Sequence, residues 1–164
     1  MTSAVPHFRA WLALAVTVVG LDQLTKILAS HWLIYAQPRA VLPGLNLTLL
    51  HNPGAAFSFL ANEGGWQRWF FSALALGVSA YLVVLLRAAS SPVYRGGLSL
   101  ILGGALGNLI DRMRLGYVVD FIQVYYQTWR FPAFNLADSA ITLGAALLIY
   151  STFVVPPVAS AAKG

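Results

Sequence analysis

Four long apolar segments decide what this chain can fold into. They lie at about residues 10–29, 69–86, 96–112 and 133–155. A helix needs about 20 residues to cross a hydrocarbon core about 30 Å thick. The first, second and fourth segments meet that length, and 69–86 carries no charge. The third is apolar only to about residue 110, so it must borrow flanking residues through Asp111 or Arg112. Its glycines, Gly96, Gly97, Gly103, Gly104 and Gly107, suit close helix contact. The predicted fold class is therefore a mainly α membrane protein with four transmembrane helices.

Composition supports this. Hydrophobic residues make up 59% of the 164 and charged residues 9%, whereas a soluble domain carries about 25% charge. A soluble globule is excluded, and so is intrinsic disorder. The net charge is +5, but the ten Lys and Arg are scattered without a cluster. Membrane lipid headgroups are the expected partner of these charges, not nucleic acid. The absence of cysteine excludes disulfides, thiolate metal sites, cysteine nucleophiles and lipidation of this chain. The first segment continues past Asp22 and Lys26 to Trp32 without a clear small-x-small cleavage site, so it is expected to be a retained helix and not a cleaved leader.

Four spans put both termini on one side. The connection around 87–95 is short, while those at about 31–68 and 113–132 are long and share the opposite side. Arg9, Arg87, Arg95 and Lys163 oppose Arg39, Arg68, Arg112, Arg114 and Arg130, so the positive-inside rule gives no orientation. Leu45 to Leu49 alternates apolar and polar after a Pro43-Gly44 turn, as a half-buried strand does. Val118 to Tyr126 is β-branched and aromatic and also predicts an extended segment. Trp32, Trp66, Trp69 and Trp129 fall in or beside these connections, and tryptophan favours the membrane boundary. A small extended or β platform capping the helices on one membrane face is expected. Residues 1–164 form one domain, and nothing requires more than a monomer.

The acids are Asp22, Glu63, Asp111, Asp120 and Asp138. Glu63 sits in a polar turn. Asp22 and Lys26, four apart on a helix face, suit a structural ion pair. Arg112 can pair with Asp111 or with a carboxylate elsewhere, or simply form a polar helix end with Asn108. Asp138 follows Pro132, which suits a helix start, and can act as a helix-start carboxylate. Asp120 can be a loop residue paired with Arg112 or Arg114. Together, however, Asp120 and Asp138 are two carboxylates in apolar surroundings on the same side, and a hairpin-like return would bring them to one point. Two such carboxylates share a proton. One takes a proton from water and the other protonates the leaving amine. That is aspartyl peptide hydrolysis, which needs no metal. His7, His31 and His51 show no metal spacing, and neither a Gly-x-Ser-x-Gly elbow nor a phosphate loop is present. Ser30 with Lys26 is a weak nucleophile–base pair. A small transporter using Asp22, Lys26 and Asp138 as relays, and an assembly factor docking through the third span, remain alternatives.

Five blocks in order add a resemblance. They are Leu21-Asp22-Gln23 with Lys26, Asn52-Pro53-Gly54-Ala55-Ala56-Phe57, Gly103 through Arg112, Val118-Val119-Asp120-Phe121, and Phe134-Asn135-Leu136-Ala137-Asp138-Ser139. The chain resembles the bacterial lipoprotein signal peptidases, the type II signal peptidases, from Leu21 to Ile141. The resemblance implies cleavage of diacylglyceryl-modified prolipoproteins just before the lipid-bearing cysteine, with no cofactor. It implies that Asp120 and Asp138 are the catalytic dyad. It also implies that Asn52, Gly54, Asn108, Arg112, Asn135 and Ala137 shape the site or contact substrate, with Asp22 and Lys26 supporting. It places the chain in the inner membrane, with cytoplasmic termini and the dyad and platform at the periplasmic face.

Overall fold

In the computed structural model, which describes residues 5–54 and 65–154, each apolar segment is a helix. The helices are α1 (Val5–Trp32), α2 (Trp66–Ala88), α3 (Pro92–Leu115) and α4 (Leu136–Val154). All four are long and apolar enough to cross a membrane. α1, with 28 residues, spans about 42 Å at 1.5 Å per residue, which exceeds the hydrocarbon thickness. Trp32, at its end, is exposed, and tryptophan favours the membrane–water boundary.

α3 is the central helix and packs against the other three. Its glycines allow this. A Cβ at Gly103 would fall 2.7 Å from the Ala15 carbonyl of α1. A Cβ at Gly104 would collide with the Ala137 carbonyl of α4. Ser91 caps the start of α3 by accepting from the Tyr94 N–H at 3.5 Å, and Pro92 follows where no N–H is needed. Gly116, at φ 88°, ends it by donating its N–H to the Arg112 carbonyl.

The two long connections form one antiparallel sheet in the order β1 (Arg39–Leu42), β2 (Leu45–Asn52), β3 (Val118–Tyr126), β4 (Trp129–Arg130). The expected strand around Leu45 to Leu49 continues to Asn52, and the extended segment at Val118 to Tyr126 is β3. β2 and β3 carry the sheet, with Leu50 opposite Asp120 and Asn52 opposite Val118. Thr48 and Gln123 are joined by a buried hydrogen bond of 3.1 Å across the pair. Because β1 and β2 link α1 to α2, and β3 and β4 link α3 to α4, the sheet lies at one end of the bundle.

One helix start differs from expectation. α4 begins at Leu136, not at 133 behind Pro132. Phe134 instead pairs with Ile122: its carbonyl accepts from Ile122 at 2.8 Å and its N–H donates back at 3.0 Å. Phe134 is therefore tied to β3 by an isolated bridge, and Asn135 is the junction with α4. Glu63, the Ala55-Ala56-Phe57 part of the second block and the tail after 154 lie outside the described residues.

Candidate active site

The site forms where the sheet meets the facing ends of α1, α3 and α4. Asn135 is the N-cap of α4. Its Oδ1 accepts from the Asp138 N–H at 2.9 Å, and Asp138 Oδ2 accepts from the Asn135 N–H at 3.3 Å. These reciprocal bonds form a capping box, with aspartate in the third helical position. The helix dipole favours a carboxylate there. Asp138 is thus held by its own helix start, as a helix-start carboxylate should be, yet one oxygen still faces the site. That oxygen, Oδ1, accepts from Asn108 Nδ2 at 2.8 Å.

Asp120 is buried on β3. Its Oδ1 accepts from Asn135 Nδ2 at 2.8 Å and its Oδ2 from Asn52 Nδ2 at 3.1 Å. Asn52 lies diagonally across from Asp120 on β2, the arrangement that places two side chains on one sheet face. Asn52 is oriented in turn by Gly54, whose N–H donates to Asn52 Oδ1 at 3.0 Å. Gly54 has φ +104°, a conformation other residues rarely adopt, and a Cβ there would fall 2.6 Å from the Phe71 ring. Asn135 Nδ2 also donates to Asn108 Oδ1 at 3.1 Å. The two carboxylates are therefore joined through a pair of amides, Asn135 and Asn108.

A buried ionic cluster supports them. The Lys26 ammonium reaches Asp22 Oδ2 at 2.8 Å, Asp111 Oδ2 at 2.9 Å and Asn108 Oδ1 at 2.9 Å. Its three donors thus meet three acceptors. The ion pair expected between Asp22 and Lys26 is present. Asp22 Oδ1 also accepts the Ala137 N–H at 2.9 Å, so α1 satisfies one of the free amides at the start of α4. Ala137 contributes this backbone group and a small, fully buried side chain. Gln23 donates to Asp111 Oδ1 at 2.8 Å, and the Val119 N–H donates to Asp111 Oδ2 at 3.1 Å. Asp111 thus anchors the start of β3.

Two expected pairings do not form. Arg112 makes no salt bridge among the described residues, with Asp111 or with Asp120. Asp111 is taken by Lys26, Gln23 and Val119, and Asp120 by two amides, so neither needs the guanidinium. Arg112 lies instead over the Phe71 ring, 5.4 Å from its centroid. Asp120 is not a loop residue paired with Arg112 or Arg114 but a strand residue bonded to Asn52 and Asn135. Sequence reasoning left Asp111 between a polar helix end and a site role, and gave no site role to Gln23 or Phe71. The polar end of the third span and the lone glutamine beside Asp22 were the available signals for the first two. Phe71, in the uncharged apolar run 69–86, gave none.

Burial, and secondarily the charge of Asp138, raises the Asp120 carboxyl to about 7. Near neutral pH this carboxyl is poised between its two forms. Two carboxyls that share a site can hold one proton between them. Beside Asp138 an apolar groove of about 640 Å³ runs along α4, lined by Phe131, Phe134, Thr142 and Leu143 among others. Among the described residues, no cluster of three or more His, Asp or Glu side chains could hold a metal ion.

Comparison with known proteins agrees with this architecture. A family model described as signal peptidase (SPase) II, peptidase A8, matches residues 14–154. A lipoprotein signal peptidase of Acinetobacter baumannii (strain ATCC 17978) is 61% identical over 150 residues, 90% of this chain and 85% of that protein. One of Teredinibacter turnerae is 51% identical over 144 residues, 87% of this chain and 86% of its own length. A solved structure described as a bacterial membrane enzyme at 1.9 Å superposes with a TM-score of 0.79. It is 34% identical and covers 89% of this chain and 94% of its own. A second, at 2.3 Å, gives 0.77 at 33% identity over 88% and 87%. With the family match spanning all four helices and the sheet, this chain belongs to the signal peptidase II family, as a multi-pass bacterial membrane peptidase.

Proposed function

We propose that this signal peptidase II removes the signal peptide of diacylglyceryl-modified prolipoproteins by aspartyl catalysis, cutting just before the lipid-bearing cysteine. Asp120 and Asp138 are the catalytic pair. The observation that carries the reading is the linkage of these two carboxylates, from β3 and α4, through Asn135 and Asn108. In the resting state the pair holds one proton. The ionised carboxylate takes a proton from water as the water attacks the scissile carbonyl, and the protonated one hydrogen-bonds the carbonyl oxygen. The tetrahedral intermediate then collapses: the C–N bond breaks, and the leaving amine takes a proton from the pair. Asn52, Asn108 and Asn135 keep the carboxylate oxygens in place through both steps, so little reorganisation is needed.

A lipid-anchored substrate holds its scissile bond at a fixed depth. The dyad lies at the bundle end that bears the sheet, among exposed Trp32, Trp66, Trp69 and Trp129, the depth at which tryptophan prefers to sit. The apolar groove beside Asp138 suits an apolar stretch of the substrate. The sheet end faces the periplasm, both termini face the cytoplasm, and the enzyme acts as a monomer in the inner membrane.

The test is cleavage of a diacylglyceryl-modified prolipoprotein by purified protein in detergent with a chelator present. Wild type is expected to cut before the modified cysteine, and folded Asp120→Asn and Asp138→Asn to lose at least about a thousandfold in kcat, of the order seen for catalytic groups. Full activity in either variant would overturn the assignment.

A further inference from the structure

Phe71 lies on α2, and its side chain is apolar. Its ring nevertheless makes two contacts that converge on the network around the dyad. First, it abuts the left-handed turn at Gly54 so closely that a Cβ on that residue would lie 2.6 Å away. That turn fixes Asn52, and Asn52 holds Asp120. Second, the ring lies under the Arg112 guanidinium, 5.4 Å from centroid to carbon.

Arg112 is in an unusual position. Its Nε is buried without a hydrogen-bond partner, and it has no salt bridge among the described residues. Yet it is near enough to Asp138, Asp120 and Asp111 to interact electrostatically with each. A guanidinium in such company ordinarily closes into a bidentate ion pair. The negative face of an aromatic ring is the competing attraction.

We propose that Phe71 is a positioning residue that holds the Arg112 guanidinium off the two carboxylates while bracing the Gly54 turn. The carboxylates then feel a nearby positive charge without being captured by it. Capture would acidify the carboxylate it engages and strip the shared proton at lower pH. The charged groups around Asp120 are Asp138 from α4, Lys26 from α1, and Asp111 and Arg112 from α3. Lys26 and Asp111 already satisfy one another, which leaves Arg112 as the cation without a salt bridge among the described residues of this group. The role of Phe71 in cleavage rests on the aspartyl dyad proposed above.

The experiment combines two readouts on the full chain in detergent. Aspartate carboxyls labelled with carbon-13 are titrated by NMR, with the resonance lost in Asp120→Asn identifying Asp120. In Phe71→Leu its apparent midpoint is expected to fall by about one pH unit, a tenfold change in proton affinity, while Phe71→Trp keeps the wild-type value. In cleavage assays Phe71→Leu is expected to lose about tenfold in kcat at pH 8. KM should change less than about twofold, and the alkaline limb of the pH profile should move the same way. Should Phe71→Leu fail to fold, pentafluorophenylalanine at position 71 preserves the ring shape but removes its negative face, and the same shift is expected. An unmoved midpoint in the Leu and fluorinated proteins, or an equal shift in Phe71→Trp, overturns the proposal. Failure of the peptidase reading shows separately, as wild type that titrates but does not cleave or as an active Asp120→Asn. The NMR midpoint still decides whether Phe71 holds Arg112 away.

Discussion

Asn135 shows how much one side chain can determine. It caps α4, bonds Asp120 and touches Asn108, so its amide serves both the helix and the proposed catalytic pair. Asn135→Ala should remove the cap, at about 1 kcal/mol, and leave buried Asp120 short of a donor, at about 1–3 kcal/mol more. A drop of this size in detergent unfolding stability, with near-complete loss of cleavage, is the expected result. Asn52 acts on Asp120 alone. Its amide favours the ionised form, so Asn52→Ala should raise the carboxyl further and move the alkaline limb of the pH profile to higher pH, readable in kcat/KM. The aspartates were legible in the sequence because a lone acid in an apolar run is costly and stands out. Their amide partners were legible only through the resemblance, since an asparagine at a helix edge is ordinary. The partner of Arg112 was left open in the sequence, and the nearest acid, Asp111, is occupied by a lysine 85 residues away (Lys26).

At the scale of elements, the site depends on how closely α3 approaches its neighbours. Gly104 faces the Ala137 carbonyl, and a Cβ at Gly107 would lie 2.6 Å from Asp22 Oδ2. Gly104→Val should push α4 off α3 and pull Asp138 from Asn108. The expected outcome is a destabilisation of about 2–3 kcal/mol and loss of cleavage; a Tm and activity close to wild type would contradict this packing. Breaking the ionic cluster from one side should cost more. Asp22→Leu leaves buried Lys26 with one counter-charge fewer and the Ala137 N–H bare, for about 3 kcal/mol. The helices were legible from length and hydropathy, and β3 from its β-branched residues. β1 and β4 were not, because two to four exposed residues carry no periodic signal. Pro132 misled for a physical reason: proline suits a helix start, but it equally suits an extended lead-in, and pairing of Phe134 with Ile122 selected the second.

For the whole molecule, raised proton affinity at Asp120 has a consequence for stability. The folded carboxyl sits at about 7, above its ordinary value of 3.8. Between those values the folded state binds more protons than the unfolded one, so this group makes stability fall as pH rises. The unfolding temperature should decline from about pH 5 to pH 8, and the decline should be shallower in Asp120→Ala. The asymmetric placement of tryptophan offers a second whole-molecule check. Four exposed tryptophans ring the sheet end, while Trp11 packs near Gly96 towards the other end. In vesicles, lipids brominated near the headgroup should quench this emission more than lipids brominated at the chain centre. The contact between Asp22 and the Ala137 amide also bears on how the protein is made. Ribosomes deliver α1 first and α4 last, so Asp22, Lys26 and Asp111 can assemble before Asn135 and Asp138 leave the exit tunnel. A chain arrested before residue 135 holds Asp120 with neither its partner carboxylate nor its bridging amide. On the proposed pairing of Asp120 with Asp138, proteolytic capacity is switched on when α4 is completed, and an unfinished polypeptide in the membrane carries no active peptidase.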